Sequence, residues 1–193
     1  MNNTISVATA ADTQQQVWQS SHQQQAFRQL MTAFSYPGRV VALTTQHNAP
    51  MLVLATLLDA GCQLADPQHQ LSADDLRRLG VRSGRVESSD FIWTVGTELL
   101  ETAPCLGTLE NPEQGSTILI RVTSLNAGSP LRLTGPGIAD EQIVCVDGID
   151  PQWWQQRAIW NRYFPMGVDI MLLTEQAVVA LPRTTHIQVL GGC

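Results

Sequence analysis

Residues 90–96 read DFIWTVG, apolar at almost every position rather than at every second one. A strand with one wet face alternates apolar and polar residues, so this continuous run predicts a strand covered on both faces, and VDIMLLT at 168–174 predicts another strand. Further strands are predicted at 39–43 (RVVAL), 62–66 (CQLAD), 115–125 (GSTILIRVTSL), 130–135 (PLRLTG), 142–148 (QIVCVDG), 177–182 (AVVALP) and 186–190 (HIQVL).

Helical spacing appears between them. HQQQAFRQLMTAFS places Phe27, Leu30, Met31 and Phe34 on one face, from an N-cap at Ser20 or Ser21 to a stop at Pro37-Gly38. APMLVLATLLDAG (49–61) is apolar around most of its circumference, as in a helix buried between layers, with Gly61 closing it. SADDLRRLG opens on Ser72 and Asp75 at capping-box spacing and ends on Arg77 and Arg78. ELLETAPCLG predicts a short helix. In DPQWWQQRAIWNRYF, Asp150 caps a helix with Pro151 at its first position; Trp153, Ile159, Trp160 and Tyr163 or Phe164 face the core. Trp154 points elsewhere and is assigned to a protein–protein contact.

Strands alternating with helices early, then a strand-rich second half, predict a three-layer α/β/α domain with a mixed sheet over residues 17–193. A polar, Gln-, Thr- and Ala-rich flexible arm occupies residues 1–16. The length of 193 residues suffices for one full core.

Charge narrows the partners. The net charge of −6 repels a polyanionic backbone, so nucleic acid is not expected. All eleven basic residues are arginine. Without lysine there is neither a Schiff base to pyridoxal phosphate nor a Walker A loop, whereas arginine's planar fork keeps anion binding open. Cys62, Cys105, Cys145 and Cys193 are too scattered for a zinc or iron–sulfur site and read as three core residues plus a terminal thiol. Neither a signal peptide nor a membrane-length apolar run is found, and the expected location is the cytoplasm.

Candidate chemistry is sparse. TGPGI (134–138) offers G-x-G without a third glycine, and a strand rather than a helix follows, so a tight turn is favoured over a phosphate loop. Its Pro136 also lacks an N–H donor. His22, His47 and His69 lie in polar surroundings; His186 follows PRTT and opens an apolar strand close to Arg183, where it either binds an anionic group or satisfies a carbonyl. Asp169 is a carboxylate inside an apolar run and needs hydrogen bonds or a cation; a pair with Arg183 or Arg28 and a role in a site both meet that need. No G-x-S-x-G, H-E-x-x-H or other nucleophile or metal motif is present.

Three stretches, FRQLMTAFSYPGRVVAL, GSTILIRVTSLNAGSPLRLTGPGI and FPMGVDIMLLTEQAVVALPRTTHIQV, resemble in order and spacing the H-subunit family of the carbon–phosphorus lyase system. The likeness covers nearly all of the chain after the arm and is strongest from about residue 115, while residues 62–110 match less closely. It implies a bacterial phosphonate-degradation protein folded like the large domain of pyridoxal-phosphate-dependent transferases, without that cofactor. It also implies a homodimer that joins the G, I and J subunits. With them, the system replaces the adenine of ATP by an alkylphosphonate to give a ribose 1-phosphonate 5-triphosphate; radical cleavage of the carbon–phosphorus bond belongs to the J subunit.

The positions that match are Arg28, Pro37 and Gly38; Arg132, Gly135 and Gly137; and Gly167, Asp169, Arg183, Thr184, Thr185 and His186. No role for any one of them follows from the match. The readings carried forward are a non-autonomous transferase subunit that supports a site, with ATP or phosphonate as ligand only inside the complex, a scaffold without a site, and a standalone small-anion binder or enzyme using Arg183, His186 and Asp169.

Overall fold

A computed structural model of the chain describes residues 17–43 and 48–191; the expected arm at 1–16 and His47 lie outside them. The elements run α1 (Ser20–Ser35), β1 (Val41–Ala42), α2 (Ala49–Leu57), β2 (Gln63–Ala65), α3 (Ala73–Leu79), β3 (Arg82–Ser83), β4 (Phe91–Val95), β5 (Thr117–Arg121), β6 (Ser124–Thr134), β7 (Gln142–Asp147), α4 (Gln152–Trp160), β8 (Asp169–Leu173), β9 (Ala177–Leu181) and β10 (His186–Val189). The fold is mixed α/β. Its central sheet has the order β1-β9-β8-β5-β4-β2-β3, with β3, β2, β4, β5, β8 and β1 running one way and β9 alone running against them.

The continuous apolar run at 90–96 is a strand buried on both faces, as its pattern predicts, and β5, β8 and β9 are buried in the same way. Trp93, Leu119, Met171, Val178 and Ala180 enter one hydrophobic cluster, shared with Ala26, Leu30, Ala33 and Leu52–Leu54 of α1 and α2. Their neighbours Ile92, Ile118, Ile120, Ile170, Leu172, Val179 and Leu181 enter the other. That second layer is helical only in part. It consists of a three-stranded antiparallel sheet, β10-β6-β7, together with α4. The chain changes sheets just after β5, where the Val122 amide donates to Leu173 of the central sheet and the Thr123 amide to Asp147 of β7.

Local signals read from the sequence hold at several ends. Ser72 Oγ accepts the Asp75 amide at 3.1 Å while the Asp75 carboxylate accepts the Ser72 amide at 3.3 Å, closing the predicted capping box. Asp150 Oδ1 accepts the Gln152 amide at 2.8 Å and so caps α4. Other expectations change. α1 starts after Gln19, with no side-chain cap, and buries Ala26, Leu30 and Ala33, while Phe27 and Met31 are about half exposed. α2 stops at Leu57, four residues short of Gly61. ELLETAPCLG is not helical. The carbonyls of Glu98 and Leu100 are instead taken by Trp153 Nε1 and Gln156 Nε2 of α4, at 3.1 and 3.3 Å. The three described cysteines are free and half-buried rather than core.

Two glycine-containing turns lock together physically. Gly137, at φ +82°, lies where a Cβ would sit 2.6 Å from the Ser35 carbonyl and 2.8 Å from Pro37 Cδ. Gly38, also at +82°, faces Leu133 Cδ1 in the same way. The TGPG segment is therefore a turn that packs on the end of α1, not a cradle for phosphate. Gly137→Ala is expected to lower stability by about 2–4 kcal/mol, adding a backbone clash to the left-handed penalty. Gly80→Ala, at φ +66° with open space around it, should cost only about 1–2 kcal/mol; thermal unfolding of both variants tests the contrast.

Candidate functional site

Antiparallel pairing of β10 with β6 sets Thr134 opposite His186 and so brings the second and third family stretches together. Gly135 (φ +132°) closes the contact, since a Cβ there would lie 2.9 Å from the Thr184 carbonyl. With Gly38 and Gly137 packed below, all three stretches meet at one corner of the molecule.

At its centre is Arg183. The Arg183 amide donates to Asp169 Oδ1 at 2.7 Å and its Nη2 to Asp169 Oδ2 at 2.8 Å; Nη1 donates to the carbonyls of Pro112 and Pro165 at 2.8 and 3.2 Å. Gly115 leaves room for this, because a Cβ there would stand 3.0 Å from Nη1. The guanidinium thus ties together β8, the segment after β9 and the loops at 112 and 165. Both partners are mostly buried, with side chains 14% and 21% exposed. Asp169 pairs with Arg183, not with Arg28, which lies exposed on α1.

A second cation beside this pair has no sequence motif. Arg157 of α4 is 4% exposed, donates from Nη2 to the Pro182 carbonyl at 2.6 Å and keeps a buried Nε without a partner among the described residues. Burial pushes its pKa down to about 10, with the Asp169 charge opposing that fall. The Thr185 amide donates to the same Pro182 carbonyl at 2.9 Å, and the buried Thr185 Oγ1 has no partner among the described residues. Arg157 could have been found from spacing: it stands four residues after Trp153 and three before Trp160, on the face those tryptophans bury.

The remaining predicted residues disperse. His186 is exposed at the start of β10 and makes no hydrogen bond to Arg183 or Asp169. Arg132 reaches Glu141, Nε to Oε2 at 3.0 Å, in a charge contact on β6. Trp154 is 7% exposed and packs in the second cluster, so it does not present a partner surface; Ile159, Tyr163 and Phe164, expected in part to face the core, are the exposed apolar residues there. Among the described residues no three His, Cys, Asp or Glu side chains gather as a metal site, and no helix is long and apolar enough to cross a membrane.

A crevice opens elsewhere, at the carboxyl ends of the parallel strands. The connection leaving β2 runs over the helical face, where Leu71 and Leu76 pack, whereas that leaving β4 runs over the opposite face, where Leu99, Leu100 and Leu106 pack. Divergence of successive crossovers to opposite faces is the arrangement that creates ligand crevices in open α/β sheets. Here it leaves a cavity of about 340 Å³ walled by the start of α2, the 70–75 segment, Trp93, Arg121 and Glu175. Arg121 Nη2 contacts Glu175 Oε1 at 3.0 Å at its rim. Trp93 is 4% exposed, and its Nε1–H is buried without a partner among the described residues. None of these residues was singled out by motif, because they come from five separate segments.

Asp169→Asn is expected to destabilise the chain by about 2–4 kcal/mol by stranding the Arg183 charge, while His186→Ala should stay within about 0.5 kcal/mol; urea unfolding measures both. For Arg157 the sign is set by its lowered pKa: between about 10 and the ordinary arginine range the unfolded chain binds more protons, so stability rises with pH. Relative to Arg157→Met, the parent should therefore gain roughly 1 kcal/mol between pH 8 and about pH 10.5, read from urea midpoints at the two pH values.

Sequence comparison places this architecture among known proteins. A chain from Stutzerimonas stutzeri named "Putative C-P lyase subunit protein HtxG" is 56% identical over 193 residues, covering 100% of this chain and 99% of that one. The "Alpha-D-ribose 1-methylphosphonate 5-triphosphate synthase subunit PhnH" of Rhizobium meliloti (strain 1021) is 28% identical over 179 residues, 86% of this chain and 90% of its own. The family model described as "Bacterial phosphonate metabolism protein (PhnH)" matches residues 14–188, which include every element of both sheets up to the third residue of β10. The chain belongs to the PhnH family of bacterial phosphonate metabolism proteins.

Proposed function

We propose that the chain is a non-autonomous subunit of a carbon–phosphorus lyase assembly, needed with its partners for transfer of an alkylphosphonate to the ribose of ATP with release of adenine. The observation that carries this reading is the end-to-end match at 56% identity to a chain named as a C-P lyase subunit. The geometry at the family motifs supports a supporting role rather than a chemical one: the Arg183 guanidinium is fully engaged with Asp169 and two carbonyls, and His186 stands apart from it. That arrangement gives little support to a standalone anion binder built on Arg183, His186 and Asp169.

Homodimer formation and contacts with G, I and J subunits belong to the same proposal, as does a cytoplasmic location. Exposed apolar side chains suit such contacts: Phe27 and Met31 lie one turn apart on α1, and Ile159, Tyr163 and Phe164 cluster in sequence at the end of α4. We take residues 17–193 as one domain, since both hydrophobic clusters share the central sheet. Likeness to the large domain of pyridoxal-phosphate-dependent transferases is supported by the seven-stranded, largely parallel sheet; with no lysine in the chain, the cofactor's Schiff base has no amine here.

The test is co-purification with G, I and J subunits, followed by adenine release from ATP and methylphosphonate. A complex that is active only with this chain is expected. Failure to associate, or full activity without it, overturns the proposal. Phe27→Glu with Met31→Glu should cut association by about tenfold or more with thermal stability unchanged, as for other exposed interface anchors.

A further inference from the structure

We propose that the crevice outside the carboxyl ends of β2, β4 and β5 binds a short zwitterionic acid, an aliphatic chain with an acid group at one end and an ammonium at the other. The cavity sits where the sheet's crossovers diverge, and its volume of about 340 Å³ is in the range of small-molecule sites. Its apolar wall is Pro50, Met51 and Leu54 of α2 with Leu71 and the Trp93 ring, a surface for methylenes.

The hydrogen-bonding capacity left over around that wall is of two kinds. On the donor side, among the described residues, Trp93 Nε1–H is buried without a partner, and Arg121 spends only Nη2 on Glu175, at 3.0 Å, leaving Nε and Nη1. These are separate N–H donors, which the oxygens of an acid group can accept. On the acceptor side, Asp75 uses Oδ2 in the capping box and keeps Oδ1, while Glu175 uses Oε1 and keeps Oε2. Two carboxylates with spare oxygens suit an ammonium.

The charge balance excludes the obvious alternative. One guanidinium against two carboxylates leaves the lining at −1, which disfavours a polyphosphate or a simple dianion. Nor does the start of α2 offer anion-binding amides: Ala49 donates to Glu175 O, Met51 to Asn48 Oδ1 at 3.2 Å and Leu52 to Asn48 O, and Pro50 has no N–H. A ligand that brings its own positive charge satisfies both halves of the lining.

This inference goes beyond the subunit assignment and stands whether or not the assembly forms; only the preference for a phosphonate over a carboxylate end rests on that assignment. Titration calorimetry on the purified chain with 2-aminoethylphosphonate, β-alanine and ethylphosphonate, followed in parallel by tryptophan fluorescence, tests it. Binding of 2-aminoethylphosphonate at about millimolar affinity or better is expected, with ethylphosphonate weaker by about tenfold or more because the carboxylates have no ammonium to meet. Arg121→Ala and Glu175→Gln should each weaken binding by about tenfold without moving the melting temperature, since the pair is an exposed one. Trp93→Phe should weaken binding and remove the ligand-induced fluorescence change. β-Alanine binding as tightly as the aminophosphonate supports the zwitterion site and removes the phosphonate preference. Ethylphosphonate binding equally well, affinity unaffected by Arg121→Ala, or no heat with any of the three overturns it.

Discussion

Strands β4, β5, β8 and β9 have no face to give to water. Every second side chain enters one hydrophobic cluster and its neighbours enter the other, so the rest of the chain must supply two covering layers. Helices supply the first. The second is built from β6, β7 and β10 with α4, and its attachment determines where polar groups end up buried. Loops that lead into and out of that layer pass over the ends of β5 and β8, and Arg183 gathers their carbonyls where they cross.

The two buried arginines of this corner are handled differently. Arg183 has a carboxylate and two carbonyls for its guanidinium, so its desolvation is offset by charge-assisted hydrogen bonds. Arg157 shares the same carboxylate only through space and has one carbonyl, and its depressed pKa is the physical trace of that imbalance. One carboxylate, Asp169, therefore serves two cations, which explains why an acidic residue interrupts an otherwise apolar strand.

Legibility in the sequence followed how local each cause was. Ser72 with Asp75, Asp150 before its helix, and the double covering of β4 were readable because the deciding partners lie within a few residues or in the residue itself. The face of α1 was not. Phe27 and Met31 carry the larger apolar side chains, but α1 packs closely against the sheet and α2, and close approach favours Ala26 and Ala33. Trp154 failed for a related reason: although it lies off the main stripe of α4, it still packs within the second cluster. ELLETAPCLG has helical composition, yet α4 claims its carbonyls, a long-range competition that no local pattern records. Among candidate residues, the Arg183–Asp169 pair was readable as a need for a counter-ion. The crevice at the strand ends was not, since five distant segments form it.

The central sheet ends on both sides in a strand of two residues, Val41–Ala42 at one edge and Arg82–Ser83 at the other, and the second of these carries a guanidinium. So short a row of unpaired backbone groups offers another polypeptide almost nothing to zip onto. Growth by adding strands across this sheet is closed off, so contacts made at its edges rest on side-chain surfaces, which can be tuned one residue at a time without touching the core.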